Sequence, residues 1–209
     1  MMSKRGVLAG AGAVGATLAL LLTGCSSSSN DANSGSAGHQ HEPTSQPAEG
    51  ATAHNDADVS FATNMIPHHE QAIVMSDIIL GKQGIDQRVV ALANQIKAAQ
   101  GPEITTMRQW LTDWGTPASG HEGHDMGGGM HGAMGMMTDQ QLQQLRDAQG
   151  VDAARQFLSG MIAHHEGAVT MAQTEVGSGR SAPAVSLAQN VIKTQQREID
   201  EMKQILGSL

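Results

Sequence analysis

The chain has 209 residues, a formal net charge of -8 and only 2% aromatic residues, with no tyrosine. Because so acidic a chain offers no basic patch, nucleic acid is excluded as an expected partner. The scarcity of aromatic rings also leaves little for stacking on sugars or bases. In contrast, the sequence has 13 methionines and 10 histidines. Both side chains are neutral metal ligands, and the thioether prefers soft ions such as Cu(I).

The first 25 residues predict a targeting segment that is separate from the fold. A positive start at Lys4 and Arg5 precedes an uncharged apolar stretch, and the sequence Leu-Thr-Gly-Cys then ends at Cys25. This ending resembles the lipobox of bacterial lipoproteins, whose cysteine is lipidated, and it predicts a lipid-anchored extracytoplasmic protein. The alternative is an uncleaved anchor, although the stretch is somewhat short for a spanning helix of about 20 residues. Since Cys25 is the single cysteine, the mature chain would have no thiolate ligand.

Residues 26–55 predict a disordered tether between the lipid and the folded part. The segment is rich in Ser, Asn and Gly and contains two prolines, a composition typical of unfolded linkers. It includes His39, His41 and His54. We interpret these as solvated linker residues, with weak metal collection as the alternative.

Residues 56–209 have helical hydrophobic spacing and predict one all-α domain. In the first half, residues 56–112, apolar side chains recur three, four and seven positions apart. They indicate a first helix that Asp56 caps and that ends near Gly81. A second helix follows, with an expected bend at Pro102. The first half is therefore a helical hairpin.

A linker at residues 113–137 precedes the second half, residues 138–209. There, Thr138 and Gln141 form the pattern of a capping box and predict the start of a short helix. Gly150 is expected to stop this helix, and two longer helices then repeat the order of the first half. The second half is therefore a second hairpin.

The two halves repeat one another in sequence. Residues 61–75 and 157–171 share Phe, Met, Ile, His, His, Glu, Ala and Met at a constant offset of 96, and residues 92–111 match 187–206 at an offset of 95. One hairpin cannot bury its apolar face alone, but two packed together can. The repeat predicts a ferritin-like four-helix bundle.

The repeated segments place histidines and methionines on one helical face. The face of the first copy consists of Met65, His68, His69, Ala72 and Met75. The face of the second copy consists of Met161, His164, His165, Ala168 and Met171. Conserving imidazoles and thioethers in both copies indicates a metal site, in which the i,i+4 pairs Met65–His69 and Met161–His165 are the best placed chelating pairs.

Each of these residues also has a purely structural interpretation. Methionine at helical spacing usually fills a core, as we expect for Met107 and Met202. A buried histidine is usually bonded to an ordinary protein acceptor. Glu70 and Glu166, which follow the histidines, are either hydrogen-bond acceptors for an imidazole or exposed helix carboxylates.

The linker is a second candidate metal site. Eight His or Met residues fall within 17 positions and are separated mostly by glycine. The candidate ligands there are His121, His124, Met126, Met130, His131 and Met134. Flexible glycines would let these groups gather around an ion, although the segment could also be a Gly-rich loop of biased composition. The ligand set fits copper better than zinc, calcium or magnesium.

The doubled Met-Ile-X-His-His-Glu-X-Ala-X-X-Met segments, each followed by a helix ending in Ile-X-X-Met, resemble the DUF305 family. The resemblance covers nearly all of residues 56–207. It implies a ferritin-like helical bundle in a secreted or lipid-anchored bacterial protein, and some members are similar to periplasmic copper-binding proteins of the CopM type, linked to copper resistance. The implied ligands are Met65, His68, His69, Met75, Met161, His164, His165 and Met171.

These observations favour a lipid-anchored extracytoplasmic protein that binds copper as Cu(I) or Cu(II), to buffer the ion or hand it on. The expected partners are the metal ion and, through the lipid, the membrane. No catalytic nucleophile or acid–base pair is evident, so a binding protein is favoured over an enzyme. A ferritin-like redox enzyme is one alternative, but the helices lack the Glu-x-x-His pattern of di-iron bundles. A metal-free envelope adaptor is the other.

Overall fold

The computed structural model describes residues 53–116 and 134–209 of the chain. All regular structure in these residues is helical, with no strand. The helices are α1 (Asp56–Leu80), α2 (Gln87–Asp113), α3 (Asp139–Asp147), α4 (Gly150–Ser178) and α5 (Ala182–Leu206). The targeting segment with Cys25, nearly all of the tether and most of the linker lie outside the described residues.

The long helices form two hairpins that pack into one bundle. Helix α1 packs on α2, α4 packs on α5, and the hairpins meet mainly through α1 and α4. Helix α3 lies against α1 and α4. The predicted all-α, four-helix bundle of two tandem hairpins is therefore confirmed. None of the helices in the described ranges combines the length and apolar character needed to cross a bilayer.

Helices α1 and α4 run antiparallel, because the start of α1 lies at the end of α4. The side-chain amide of Asn55 donates to the carbonyl of Ser178 at 2.8 Å. The buried carboxylate of Asp58 accepts from the backbone N–H groups of Arg180 (3.1 Å) and Ser181 (2.9 Å) in the turn after α4. The antiparallel arrangement brings the two histidine segments opposite each other near the middle of both helices.

The helix starts follow the predicted capping chemistry with two corrections. The cap of α1 is Asn55, whose side chain accepts from the N–H groups of Ala57 and Asp58, and Asp56 is the first helical residue. Asn55 is the better cap because the carboxylate of Asp58, three residues later, accepts from the Asn55 N–H and completes a capping box. The predicted capping box at Thr138 is confirmed. Gly150, however, begins α4 with a φ of 53° and does not end α3.

Replacing Asn55 with Ala should lower the free energy of unfolding by about 1–2 kcal/mol, since both the cap and the bond to Ser178 are lost. Replacing the adjacent Asp56 with Ala should cost a few tenths of a kcal/mol, because Asp56 only interacts favourably with the helix dipole. Urea denaturation of the two variants checks the assignment. A larger loss for the Asp56 variant would mean that the sequence-based cap is correct.

The core divides into two clusters of buried apolar side chains along the bundle. Met75 and Met161 belong to one cluster, and Met65 belongs to the other together with Met107. Met107 and Met202 are both fully buried, as expected for methionines that fill the core.

Candidate metal centre

Four imidazoles lie inside the bundle at the contact between α1 and α4. The side chains of His68, His69, His164 and His165 are all 0% exposed. The rings of His68 and His164, from opposite helices, lie 3.7 Å apart between centroids and are tilted by 36°. The rings of the neighbours His164 and His165 lie 6.2 Å apart. The structure thus brings the repeated histidine pairs together across the hairpin interface.

Each of these imidazoles donates its Nε2–H to an oxygen. His68 donates to the carbonyl of Met134 and His164 donates to the carbonyl of His68, both at 2.9 Å. His69 donates to Glu103 at 2.7 Å, and His165 donates to Glu198 at 2.8 Å. Because carbonyl and carboxylate oxygens only accept hydrogen bonds, these contacts assign the hydrogen to Nε2 in all four rings.

The second nitrogen of each ring is buried and unbonded. Within the part of the chain that the structure describes, Nδ1 of all four histidines has no hydrogen-bond partner. A neutral imidazole with its hydrogen on Nε2 carries a lone pair on Nδ1. Buried polar atoms without partners are rare in native proteins and call for a physical explanation. The four rings therefore present four unpaired lone pairs inside the bundle.

Burial keeps His68, His164 and His165 neutral. Desolvation lowers the pKa of His68 from 6.5 to about 3. It also lowers the pKa of His164 well below its usual range. For His165, desolvation outweighs the opposing bond to Glu198, so its pKa is lowered too. A neutral lone pair is the form of histidine that binds metals.

Two carboxylates orient one histidine of each pair. Glu103 on α2 holds His69, and Glu198 on α5 holds His165. Burial raises the pKa of Glu198, but the bonds from His165 and Gln95 outweigh it and lower the pKa overall. A carboxylate on the far nitrogen fixes the tautomer and makes the other nitrogen a better donor.

Sequence reasoning missed these carboxylates, although a signal existed. Glu103 and Glu198 match at the same offset of 95 that relates the second helices of the two halves. Of the two alternatives for Glu70 and Glu166, the exposed one is right. Glu70 pairs with Arg108 and Glu166 lies 3.5 Å from Lys203, all at the surface.

Replacing Glu198 with Leu should lower the free energy of unfolding by about 1–3 kcal/mol, because the buried Nε2–H of His165 loses its acceptor. Replacing Glu103 with Leu should cost less. The Glu103 side chain is 22% exposed against 4% for Glu198, so water can take its place beside His69. Denaturant titrations at pH 7 compare the two variants. Equal losses would show that Glu198 is not sealed from solvent.

The methionines are divided between the two ends of the histidine contact. Met75 and Met161 lie in one core cluster, while Met65 lies in the other with the half-buried Met171 packed against it. Met65, the i,i+4 partner of His69, therefore does not contact Met161, the i,i+4 partner of His165. This arrangement differs from one site at which both pairs converge. Met134 is half-buried and contributes its carbonyl to His68.

The structure describes only some of the remaining candidate ligands. His54 stacks on Trp114 with ring centroids 4.8 Å apart. His121, His124, Met126, Met130 and His131 lie outside the described residues, as do His39 and His41. In the described ranges, no three His, Cys, Asp or Glu side chains are placed to hold one metal ion. A metal ion at the histidines would therefore need two imidazoles together with a thioether as ligands, or a small movement of the side chains.

A second buried polar contact, which the sequence did not predict, links α1 to the end of α4. Asp58 and Glu175 are 0% and 1% exposed, and in the described residues no N–H or O–H group donates to either carboxyl oxygen of Glu175. Burial, followed by the Asp58 contact, raises the pKa of Glu175 to about 8. Glu175 is therefore protonated at neutral pH and supplies the hydrogen that the two carboxyl groups share.

Comparisons with known proteins agree with this architecture. The model of a family described as a domain of unknown function, DUF305, matches residues 58–206. A DUF305 fragment from Deinococcus radiodurans is 30% identical, with a TM-score of 0.67, over 74% of this chain and 98% of that one. A DUF305 protein from Streptomyces coelicolor, assigned as secreted, is 31% identical, with a TM-score of 0.64, over 73% and 91%.

CopM in its Cu(II)-bound form is also similar. It is 32% identical, with a TM-score of 0.62, over 72% of this chain and 96% of that one. CopM has further been solved with Cu(I) and with silver bound. An uncharacterized protein of Acanthamoeba polyphaga mimivirus is 42% identical over 52 residues, so the match spans about a third (34%) of that protein.

Proposed function

The chain belongs to the DUF305 family, and from this premise we propose that it is a lipid-anchored extracytoplasmic protein that binds copper. The buried histidines would hold the ion through Nδ1, with nearby thioethers as further donors. The protein would buffer copper or hand it on. The proposed ligands are His68, His69, His164 and His165 with Met65, Met75, Met161 and Met171, and separately His121, His124, Met126, Met130, His131 and Met134 in the linker.

One observation carries the proposal: four buried imidazoles lie at the α1–α4 contact, and none of their Nδ1 atoms has a hydrogen-bond partner among the described residues. The bonds to carbonyls and carboxylates satisfy only the Nε2–H of each ring. A protein that needed only packing there could use leucine without leaving buried polar atoms unpaired. The orphaned lone pairs are explained if an ion binds to them.

The donor types support copper over other metals. No carboxylate cluster suited to calcium or magnesium occurs in the described residues. Imidazole suits copper, and the thioether selects Cu(I). The copper- and silver-bound forms of CopM, a similar bundle, support the same choice.

A titration of the whole chain with Cu(I) against a competing chelator tests the proposal. The double variant His68→Leu/His164→Leu should lose the bundle site, with affinity reduced at least about 100-fold, while the Glu103 and Glu198 contacts stay intact. A linker variant with glutamine at His121, His124 and His131 serves as the matched control. Unchanged copper stoichiometry and affinity in the double variant would refute the bundle site, and binding lost only in the linker variant would place the ion in the linker.

The lipid anchor has its own test. Replacing Cys25 with Ser should prevent lipidation, because serine lacks the thiol that accepts the lipid. In fractionated cells, the unchanged chain should be in the membrane fraction and the variant should be absent from it. Equal membrane retention of both proteins would instead favour the uncleaved apolar anchor.

A further inference from the structure

A short non-helical segment, residues 134–137, lies over the histidine contact, and we call it the strap. His68 donates to the carbonyl of Met134 at 2.9 Å. The side-chain amide of Gln71 donates to the carbonyl of Met137 at 2.9 Å and accepts from its N–H at 2.7 Å. Both side chains come from α1, so one helix face fastens the two ends of the strap.

Glycines let the strap lie directly on the backbone of α4. A Cβ added at Gly167 would be 1.8 Å from the carbonyl oxygen of Met134, and one at Gly160 would be 2.9 Å from the sulfur of Met137. Gly135, in the strap itself, has a φ of 71° and would place a Cβ 2.0 Å from the carbonyl oxygen of Ala163. No larger residue fits at these positions without moving the strap.

The strap also breaks the symmetry of the two histidine pairs. His164 donates to the carbonyl of its repeat partner, His68. The repeat would have His68 donate to the carbonyl of His164, but His68 donates to the strap instead. One of the two stacked imidazoles is therefore tied to a backbone segment that is not part of any helix.

We propose that the strap is a movable cover over His68 and His164, which must lift before an ion can reach them and which sets the rate of metal entry and release. This rests on the proposed function. The imidazoles are 0% exposed, and α1 and α4 are continuous where they carry the histidines. Among the described residues, the strap is the non-helical segment that bonds to one of these rings. In the described residues, three hydrogen bonds, the packing of Met137 and the backbone contact with α4 hold the strap. A segment of four residues held in this way can open locally while the bundle stays folded.

Two variants loosen the strap in different ways. In Gly167→Ala, the added methyl group collides with the Met134 carbonyl. In Gln71→Leu, both bonds to Met137 are lost with no crowding of α4. Gly177→Ala is the matched control, because it adds the same methyl group to α4 where nothing lies within 4 Å. Circular dichroism establishes that each variant is folded.

Two measurements distinguish the opening of the strap from the binding of copper. Diethyl pyrocarbonate labels accessible neutral imidazoles in the metal-free chain, and mass spectrometry gives the labelling rate at His68 and His164. Stopped-flow mixing with Cu(II) gives the association rate. Both rates should rise roughly tenfold or more in the two strap variants. Both should be unchanged in Gly177→Ala.

The outcomes test the strap as a cover separately from the proposed copper-binding function. Labelling rates in Gly167→Ala and Gln71→Leu that equal the control overturn the cover. Faster labelling together with unchanged copper association also overturns it, since copper then enters elsewhere. Faster labelling with no copper bound by any variant supports the cover over the histidines and refutes the proposed function.

Discussion

Lowering the pH from 7 to 5 should reduce the free energy of unfolding by about 2 kcal/mol through His68, and His164 should add to this loss. Burial lowers the pKa of both rings, to about 3 for His68, whereas the unfolded chain titrates near 6.5. Between these values the unfolded state binds more protons than the folded state. Stability is therefore complete above pH 6.5 and is lost as the pH falls toward 3. His165, whose pKa is also lowered, adds to the loss.

Urea denaturation at several pH values measures this slope. In the variant His68→Leu/His164→Leu the slope between pH 7 and 5 should be much flatter, because two rings no longer need to be protonated on unfolding. His54→Leu is the control, since His54 lies outside the buried group, and it should keep the steep slope. A steep acid loss that persists in the double variant would mean that other groups drive acid unfolding.

Raising the pH from 5 to 8 should destabilise the fold through Glu175, by at most about 3 kcal/mol. Its folded pKa is raised from 4.5 to about 8, so the folded state holds a proton that the unfolded chain has released. The contribution is complete below pH 4.5 and is lost as the pH rises through 8. Ionised Glu175 would then face the carboxylate of Asp58 in a buried place.

Replacing Glu175 with Gln tests this assignment. The amide can still donate to Asp58 but does not titrate, so stability should become nearly independent of pH between 6.5 and 8.5. Glu201→Gln on the exposed side of α5 is the matched control and should leave the loss in place. An unchanged alkaline slope in the Glu175 variant would show that the two carboxyl groups do not share a hydrogen. Together, the histidines and Glu175 predict maximal stability between about pH 6 and 7.

The parts of this fold that the sequence predicted are those encoded by local periodicity. The repeat at an offset of 96 predicted that the two histidine segments occupy equivalent helices, and the helical wheel predicted that His68, His69 and Met65 share a buried face. Both depend on the fixed rotation of 100° per residue in a helix. The capping box at Thr138 was readable for the same reason, because its two partners lie three residues apart.

The parts that the sequence did not predict depend on contacts between distant segments. The carbonyl of Met134 meets His68 only because glycines on α4 admit the strap, and nothing in the linker composition indicates that packing. Asp58 meets Glu175 only because α1 starts where α4 ends. Met65 and Met161 fall in different clusters because α1 and α4 are antiparallel. Equivalent positions in the first halves of the two helices therefore lie on opposite sides of the histidine contact.

X-ray absorption of the copper-loaded chain tests the central claim most directly, because it separates imidazole nitrogen from thioether sulfur around the ion. The buried Nδ1 atoms predict imidazole scattering that persists when His121, His124 and His131 are replaced with glutamine. The same scattering should disappear when this linker variant also carries His68→Leu/His164→Leu. Imidazole scattering that survives in His68→Leu/His164→Leu alone but vanishes in the linker variant would contradict a copper site between α1 and α4.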